Sequence, residues 1–281
     1  MTDFHIEKIT DRCAEFGIKI DREITERLNL YGNLLLEWNE KINLTAITAP
    51  EDVLYKHFYD CILFFKAVTP DKNAEIIDVG TGAGFPGMVL KIIRPDLKIT
   101  LLDSLNKRLL FLNEVISQLG LQDISTVHMR AEDAGRAPAH REKYDIACAR
   151  AVASLPALME YCLPLVKKGG SFIAMKGASA AEEKALSLKA AGILALRNPL
   201  LYAKLSPEMS KEPLLFQKRY RKPRQNTPAS PPIFQKSRFN AAFFVVKRRF
   251  FPTCFSLQTE KMYLQWEAER AKEEFDVHPI R

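Results

Sequence analysis

The run Glu75-Ile76-Ile77-Asp78-Val79-Gly80-Thr81-Gly82-Ala83-Gly84-Phe85-Pro86-Gly87 leaves this chain few ways to fold around it. Ile76 to Val79 is an apolar strand, and four glycines follow within eight residues. Met88, Val89, Leu90, Ile92 and Ile93 then carry apolar side chains at helical spacing. Glycine turns the backbone with positive φ and lets a ligand approach where a Cβ would stand. A strand, a glycine turn and a helix in that order form a cradle for a nucleotide cofactor.

The residues narrow the choice of cofactor without closing it. Gly82 to Gly87 spells G-x-G-x-x-G, which by itself fits a dinucleotide. Ile99-Thr100-Leu101-Leu102-Asp103 predicts a second strand ending in an acid, placed to accept hydrogen bonds from a ribose. NAD and S-adenosylmethionine both carry that ribose, so Asp103 does not separate them. Asp78 favours the second. A carboxylate just before the turn opposes a pyrophosphate and suits a ligand carrying an ammonium and a sulfonium.

At 281 residues with 47% hydrophobic content the chain can build a core for one large domain, or for one domain plus appendages. No apolar stretch approaches membrane-spanning length, and Met1-Thr2-Asp3-Phe4-His5 lacks a charged-then-apolar leader pattern. Five scattered cysteines (Cys13, Cys61, Cys148, Cys162, Cys254) make no C-x-x-C pair, which fits buried thiols in a reducing cytoplasm. No His/Cys cluster has metal-ligand spacing, so no metal is expected. A monomer is assumed. The net charge of +7 is uneven, with a basic, proline-interrupted stretch from Lys204 to Arg249.

Along the chain, residues 1–70 read as a helical cap. A helix runs from Ile20 through Trp38, a loop covers Trp38 to Thr45, and Pro50 opens another helix through Leu63. Residues 71–190 alternate strand and helix. Strands are expected at Ile76–Val79, Ile99–Leu102, Ser125–His128, Ile146–Cys148 and Ser171–Met175. Helices are expected at Gly87–Ile93, Lys107–Leu119, near Ser154–Leu165 and at Ala180–Ala190, the last with Ser179 as N-cap. That alternation means a parallel sheet with helical crossovers and a ligand site at the carboxyl ends of the strands, where Gly80, Asp103, Ala131, Glu132 and Arg150 fall. Residues 191–281 lose the pattern. Phe243-Phe244-Val245-Val246 reads as a strand without an evident partner, and Lys261 to Phe275 as a helix.

Seven ordered segments resemble the glucose-inhibited division protein B family, the bacterial 16S ribosomal RNA guanine-N7 methyltransferases. They are Trp38 to Thr45, His57-Phe58-Tyr59-Asp60, Asp78 to Gly87, Asp103 to Arg108, Arg130-Ala131-Glu132, Ala149-Arg150-Ala151 and Met175-Lys176-Gly177. The resemblance covers about residues 8–190. It implies a class I methyltransferase (Rossmann-like) fold with an amino-terminal helical cap. It implies S-adenosylmethionine as methyl donor and a guanine in a loop of small-subunit rRNA, free or in the subunit, as target. It places donor contacts on Gly80, Phe85, Ala131, Glu132 and Arg150, to which the ribose argument adds Asp103.

Guanine N7 has its own lone pair, so no general base is needed and positioning dominates. Arg150 and Lys176, at strand ends, suit positioning and phosphate pairing. Lys176 reads equally as a solvated loop lysine. Phe85 either faces the cationic donor or packs. Asn43 and His57 are candidates for the RNA side or for hydrogen-bonded core positions. Two other readings stay open: an RNA-binding or inactive relative of the methyltransferases, because of the altered carboxyl-terminal third, and, from the glycine pattern alone, an NAD-dependent oxidoreductase.

Beyond about residue 190 the resemblance stops. Reading Pro207 to Asn240 one base out of frame permits a sequence like the family's last strand and basic tail, followed by a stop. A frame shift between Ala180 and Arg197 would make the remainder out-of-frame translation and poorly ordered. The last two strands would then be missing, and the basic run from Lys204 would carry no RNA-binding meaning.

Overall fold

The structure is a computed structural model that describes residues 1–176, 201–205 and 242–247. Its sheet has the order β3-β2-β1-β4-β5-β7-β6. β1 (Glu75–Val79), β2 (Lys98–Asp103), β3 (Ile124–His128), β4 (Tyr144–Arg150) and β5 (Val166–Lys176) run parallel to their neighbours. β6 (Leu201–Leu205) and β7 (Ala242–Lys247) add two antiparallel strands at the β5 edge.

Side chains alternate across the sheet, as a period of two requires. Ile76, Leu101, Cys148 and Ile173 enter one core, whereas Ile77, Leu102, Ala147 and Phe172 enter the other. The first core also holds the amino-terminal helices α1 (Glu7–Ala14) and α2 (Arg22–Asn39), so the cap is built onto the sheet. A helical stretch follows from α3 (Pro50–Val53) through a π-helical segment (Leu54–Tyr59) to α4 (Asp60–Ile62), and then α5 (Phe64–Ala67). Pro50 occupies the first turn, where its missing N–H costs nothing. Beneath the cap lie α6 (Gly87–Ile93), every residue of which is buried, and α7 (Asn106–Gln118). The second core is covered by α8 (Ala131–Ala134) and α9 (Leu155–Cys162).

β1 lies between β2 and β4, so successive crossovers leave it in opposite directions and a crevice opens at its carboxyl end. The five strands of residues 71–176 stand where the pattern put them, each a little longer. The missing last strands are a correction: β6 and β7 are present. Phe243 to Val246 is the β-branched and aromatic run that suits a strand, and it pairs Phe244 with Ala174 of β5 and Ala203 of β6. A long antiparallel return leaves no local signal of its partner, which is why the sequence pattern hid it. The helices expected at Ala180–Ala190 and Lys261–Phe275 lie outside the described residues. Cys13, Cys61, Cys148 and Cys162 are buried free thiols. Among the described residues no helix is long and apolar enough to cross a membrane.

Candidate donor-binding cleft

A cleft of about 520 Å³ opens where β1, β4 and β5 end beneath the cap. Gly80 forms part of its floor with φ at +69°, and a Cβ there would lie 2.6 Å from Cγ2 of Val152. A side chain there would have to displace Val152, and the positive φ favours glycine. The turn is held from below by Asp78, which is fully buried. Its Oδ2 accepts from Thr81 Oγ1 at 2.7 Å and from the Gly87 amide at 2.8 Å. A Cβ on Gly87 would lie 2.9 Å from that same oxygen. Oδ1 of Asp78 is buried and has no hydrogen-bond partner among the described residues. Burial pushes the Asp78 carboxyl up to about 6, against the bonds from Thr81 and Gly87 that favour its charge. Asp78 therefore anchors the loop from underneath rather than lining the cleft.

Asp103 anchors the loop from the side. Oδ2 accepts from the Gly82 amide at 2.9 Å and from Arg108 at 3.3 Å, and Oδ1 from the Leu105 amide at 2.9 Å. The cap supplies the third anchor: the Tyr31 hydroxyl donates to the Ala83 carbonyl.

The opposite wall is a packed polar cluster. His57, in the π-helical segment, stacks on Phe85 with ring centroids 4.4 Å apart, and the Arg150 guanidinium carbon lies 4.8 Å from the Phe85 ring. Arg150 Nη1 donates to Asp60 Oδ2 and to the Lys56 carbonyl, both at 3.0 Å. Nη2 lies 3.2 Å from His57 Nδ1. A guanidinium only donates, so Nδ1 is the acceptor and the imidazole proton sits on Nε2, 2.9 Å from Thr45 Oγ1. Burial, reinforced by the Arg150 charge, lowers His57 to about 3 and keeps the ring neutral. Burial raises the Asp60 carboxyl while Arg150 draws it back down. Lys176, at the end of β5, donates to the Ala153 carbonyl at 2.7 Å and lines the cleft.

The cleft thus gathers Gly80, Phe85, Arg150, His57 and Lys176. Phe85 packs against His57, Tyr31 and Arg150 as well as bordering the space. Asp103, Ala131 and Glu132 stand at neighbouring strand tips outside the lining, and Asn43 is exposed on the loop beside Leu44 and Thr45, which do line it. Sequence reasoning gave no role to Thr45, Asp60 or Arg108, although each lies inside a segment quoted for the resemblance. Tyr31 had no signal at all. Its partner is 52 residues away.

The chain is similar to known proteins over the region that builds this cleft. The family model described as rRNA small subunit methyltransferase G matches residues 24–201, which extends the resemblance past residue 190. A ribosomal RNA small subunit methyltransferase G of Acetivibrio thermocellus is 56% identical over 186 residues, covering 66% of this chain and 76% of its own. One from Clostridium botulinum is 47% identical over 225 residues, covering 80% and 94%. Among solved structures, a putative O-methyltransferase from Klebsiella pneumoniae is similar at a TM-score of 0.47 and 13% identity, covering 86% and 97%. The matched region takes in the glycine turn, the Asp103 tip, the Arg150 cluster and Lys176. This chain belongs to the rRNA small subunit methyltransferase G family.

Proposed function

We propose that the protein methylates N7 of a guanine in small-subunit rRNA with S-adenosylmethionine as donor. The observation that carries the reading is the floor of the cleft: bare backbone at Gly80, tied down by Asp78, Asp103 and Tyr31, within the matched family region. When bound, S-adenosylmethionine supplies an electrophilic methyl on a sulfonium. The residues present fit it. Asp78, with an unpartnered buried oxygen beneath the turn, gives the floor a negative field when ionised, which favours a cation above it.

Gly80, Phe85 and Arg150 line the donor side, and Asp103, Ala131 and Glu132 flank it at the next strand tips. Arg150 keeps N–H groups beyond those used by Asp60, Lys56 and His57, and they suit an acidic group on a ligand. Lys176 and the exposed Asn43 face the RNA side. His57 is buried with both ring nitrogens engaged, so it acts there through Thr45 and Arg150 rather than by direct contact. N7 brings its own lone pair, and no proton has to leave before attack. The chain's residues therefore align the base, hold the floor rigid and keep water from the reacting atoms. The substrate is free rRNA or the small subunit, the protein acts in the cytoplasm as a monomer, and the cap of 1–70 works as the lid of the 71–190 domain.

Small-subunit rRNA lacking the modification, incubated with methyl-labelled donor, tests this. Label at a single guanine, released by strand cleavage specific for 7-methylguanine, is expected. Donor binding without transfer would favour the inactive RNA-binding relative, and binding of NAD in place of the donor would favour the oxidoreductase. The family match lends support to neither.

A further inference from the structure

We infer that Asp60 is a positioning residue that sets donor affinity by holding Arg150. The inference rests on the functional reading above. Only 14% of the Arg150 side chain is exposed, and a guanidinium withdrawn that far from water needs a carboxylate and filled hydrogen bonds. Among the described residues Asp60 is the only acid within ion-pair distance, at 3.0 Å. The bond crosses 90 residues, from the cap to the end of β4. Its geometry follows from the local helix. Lys56 and Asp60 are four residues apart and share a face, and the π-helical segment between them widens the turn. The Lys56 carbonyl, the His57 ring and the Asp60 carboxylate all reach one guanidinium.

Both Asp60 and Arg150 border the cleft. Asp60 and Lys56 occupy Nη1, His57 occupies one hydrogen of Nη2, and Nε and the second Nη2 hydrogen have no partner among the described residues. Planarity of the guanidinium then does the rest: fixing Nη1 fixes where the remaining donors aim. A purely structural ion pair would lie away from the ligand space and leave no donors over.

The test is a double-mutant cycle read by isothermal titration of the full chain with S-adenosylmethionine, no RNA present. Asp60→Asn should raise the donor Kd tenfold or more, and in a separate turnover assay with small-subunit rRNA it should raise the donor KM by a larger factor than it lowers kcat. Asp60→Glu, which keeps the charge on a longer arm, should recover part of the loss. Arg150→Met should weaken binding too, and Asp60→Asn should then add nothing further. Asn33→Ala, which removes the hold on Thr2 outside the cleft lining, controls for lost stability and should leave Kd unchanged. Unaltered affinity in both Asp60 variants overturns the inference alone, as does an equal effect of Asp60→Asn with and without Arg150. A wild-type chain that takes up no donor overturns the functional reading and this inference with it.

Discussion

Replacing Asp78 with asparagine should make the ligand-free protein more stable and the donor complex weaker. Folded Asp78 holds its proton up to about pH 6, whereas the unfolded carboxyl holds it only to 3.8. Below 3.8 both states are protonated and nothing is lost. As pH climbs from 3.8 to 6 the unfolded chain sheds its proton first, and stability falls. Above 6 the loss is complete at about 3 kcal/mol, at 1.36 kcal/mol per pKa unit. Asparagine mimics the protonated carboxyl: its oxygen can still accept from Thr81 and Gly87, and it carries no buried charge. The gain at pH 7.5 should therefore approach about 3 kcal/mol, a rise in Tm of roughly 6–12 °C for a chain of this size. At pH 5 the gain should be roughly half as large. His57 sharpens the test. Its ring stays neutral down to about 3, so its contribution is lost as pH falls below 6.5, opposite in sign to Asp78. Between pH 4 and 6 the Asp78 and His57 contributions oppose each other, and removing Asp78 leaves the His57 contribution opposed by the raised Asp60 carboxyl. Thermal unfolding of both proteins at pH 5 and 7.5, with and without S-adenosylmethionine, reads all of this. A variant less stable than wild type at pH 7.5, or a gain independent of pH, would refute the account of Asp78 as a strained buried charge. Undiminished donor affinity would refute its electrostatic role.

Gly80→Ala should lower Tm by roughly 2–8 °C, because an alanine held at φ +69° costs about 1–2 kcal/mol. Val152, 41% exposed, can swing away from the new Cβ, so the backbone strain dominates, and an unchanged Tm would contradict the left-handed turn. The reading-frame shift stands as a proposal about the gene: sequencing across codons 180–200 is expected to show a gained or lost base. An unbroken frame ends it. Its structural consequence is already revised, since β7 pairs with β5 where the shift was expected to leave the last two strands missing.

What the sequence made legible was local. Ile76 to Val79, Leu101 and Phe172 to Met175 are buried because β-branched and apolar residues at period two have one stable setting between helical layers. Gly80 and Gly87 announce a close approach, and the structure supplies the atoms that approach, Val152 and Asp78. Asp78 was legible as an acid and illegible as an anchor, because its role depends on a Thr81 hydroxyl and a Gly87 amide folding back under it. Lys91 is a sharper case. It looks like the polar face of α6 yet is buried, and its ammonium reaches the Pro95 and Leu97 carbonyls. Thr45 and Asp60 carry no periodic signal, since what defines them is a guanidinium that arrives from β4.

Those long-range bonds explain why the cap and the cleft cannot be separated energetically. The cap gives the sheet a carboxylate, a neutral imidazole and a phenol; the sheet gives back a guanidinium, an aromatic ring and a carbonyl. Lifting the cap would leave Arg150 without the only carboxylate it has among the described residues and would take the Tyr31 donor from the Ala83 carbonyl, each a loss greater than a surface contact carries. The segment that closes the cleft is thus held by the same bonds that shape its floor and wall. A ligand acid that engages the remaining Arg150 donors would therefore share one guanidinium with the Asp60 carboxylate of the cap.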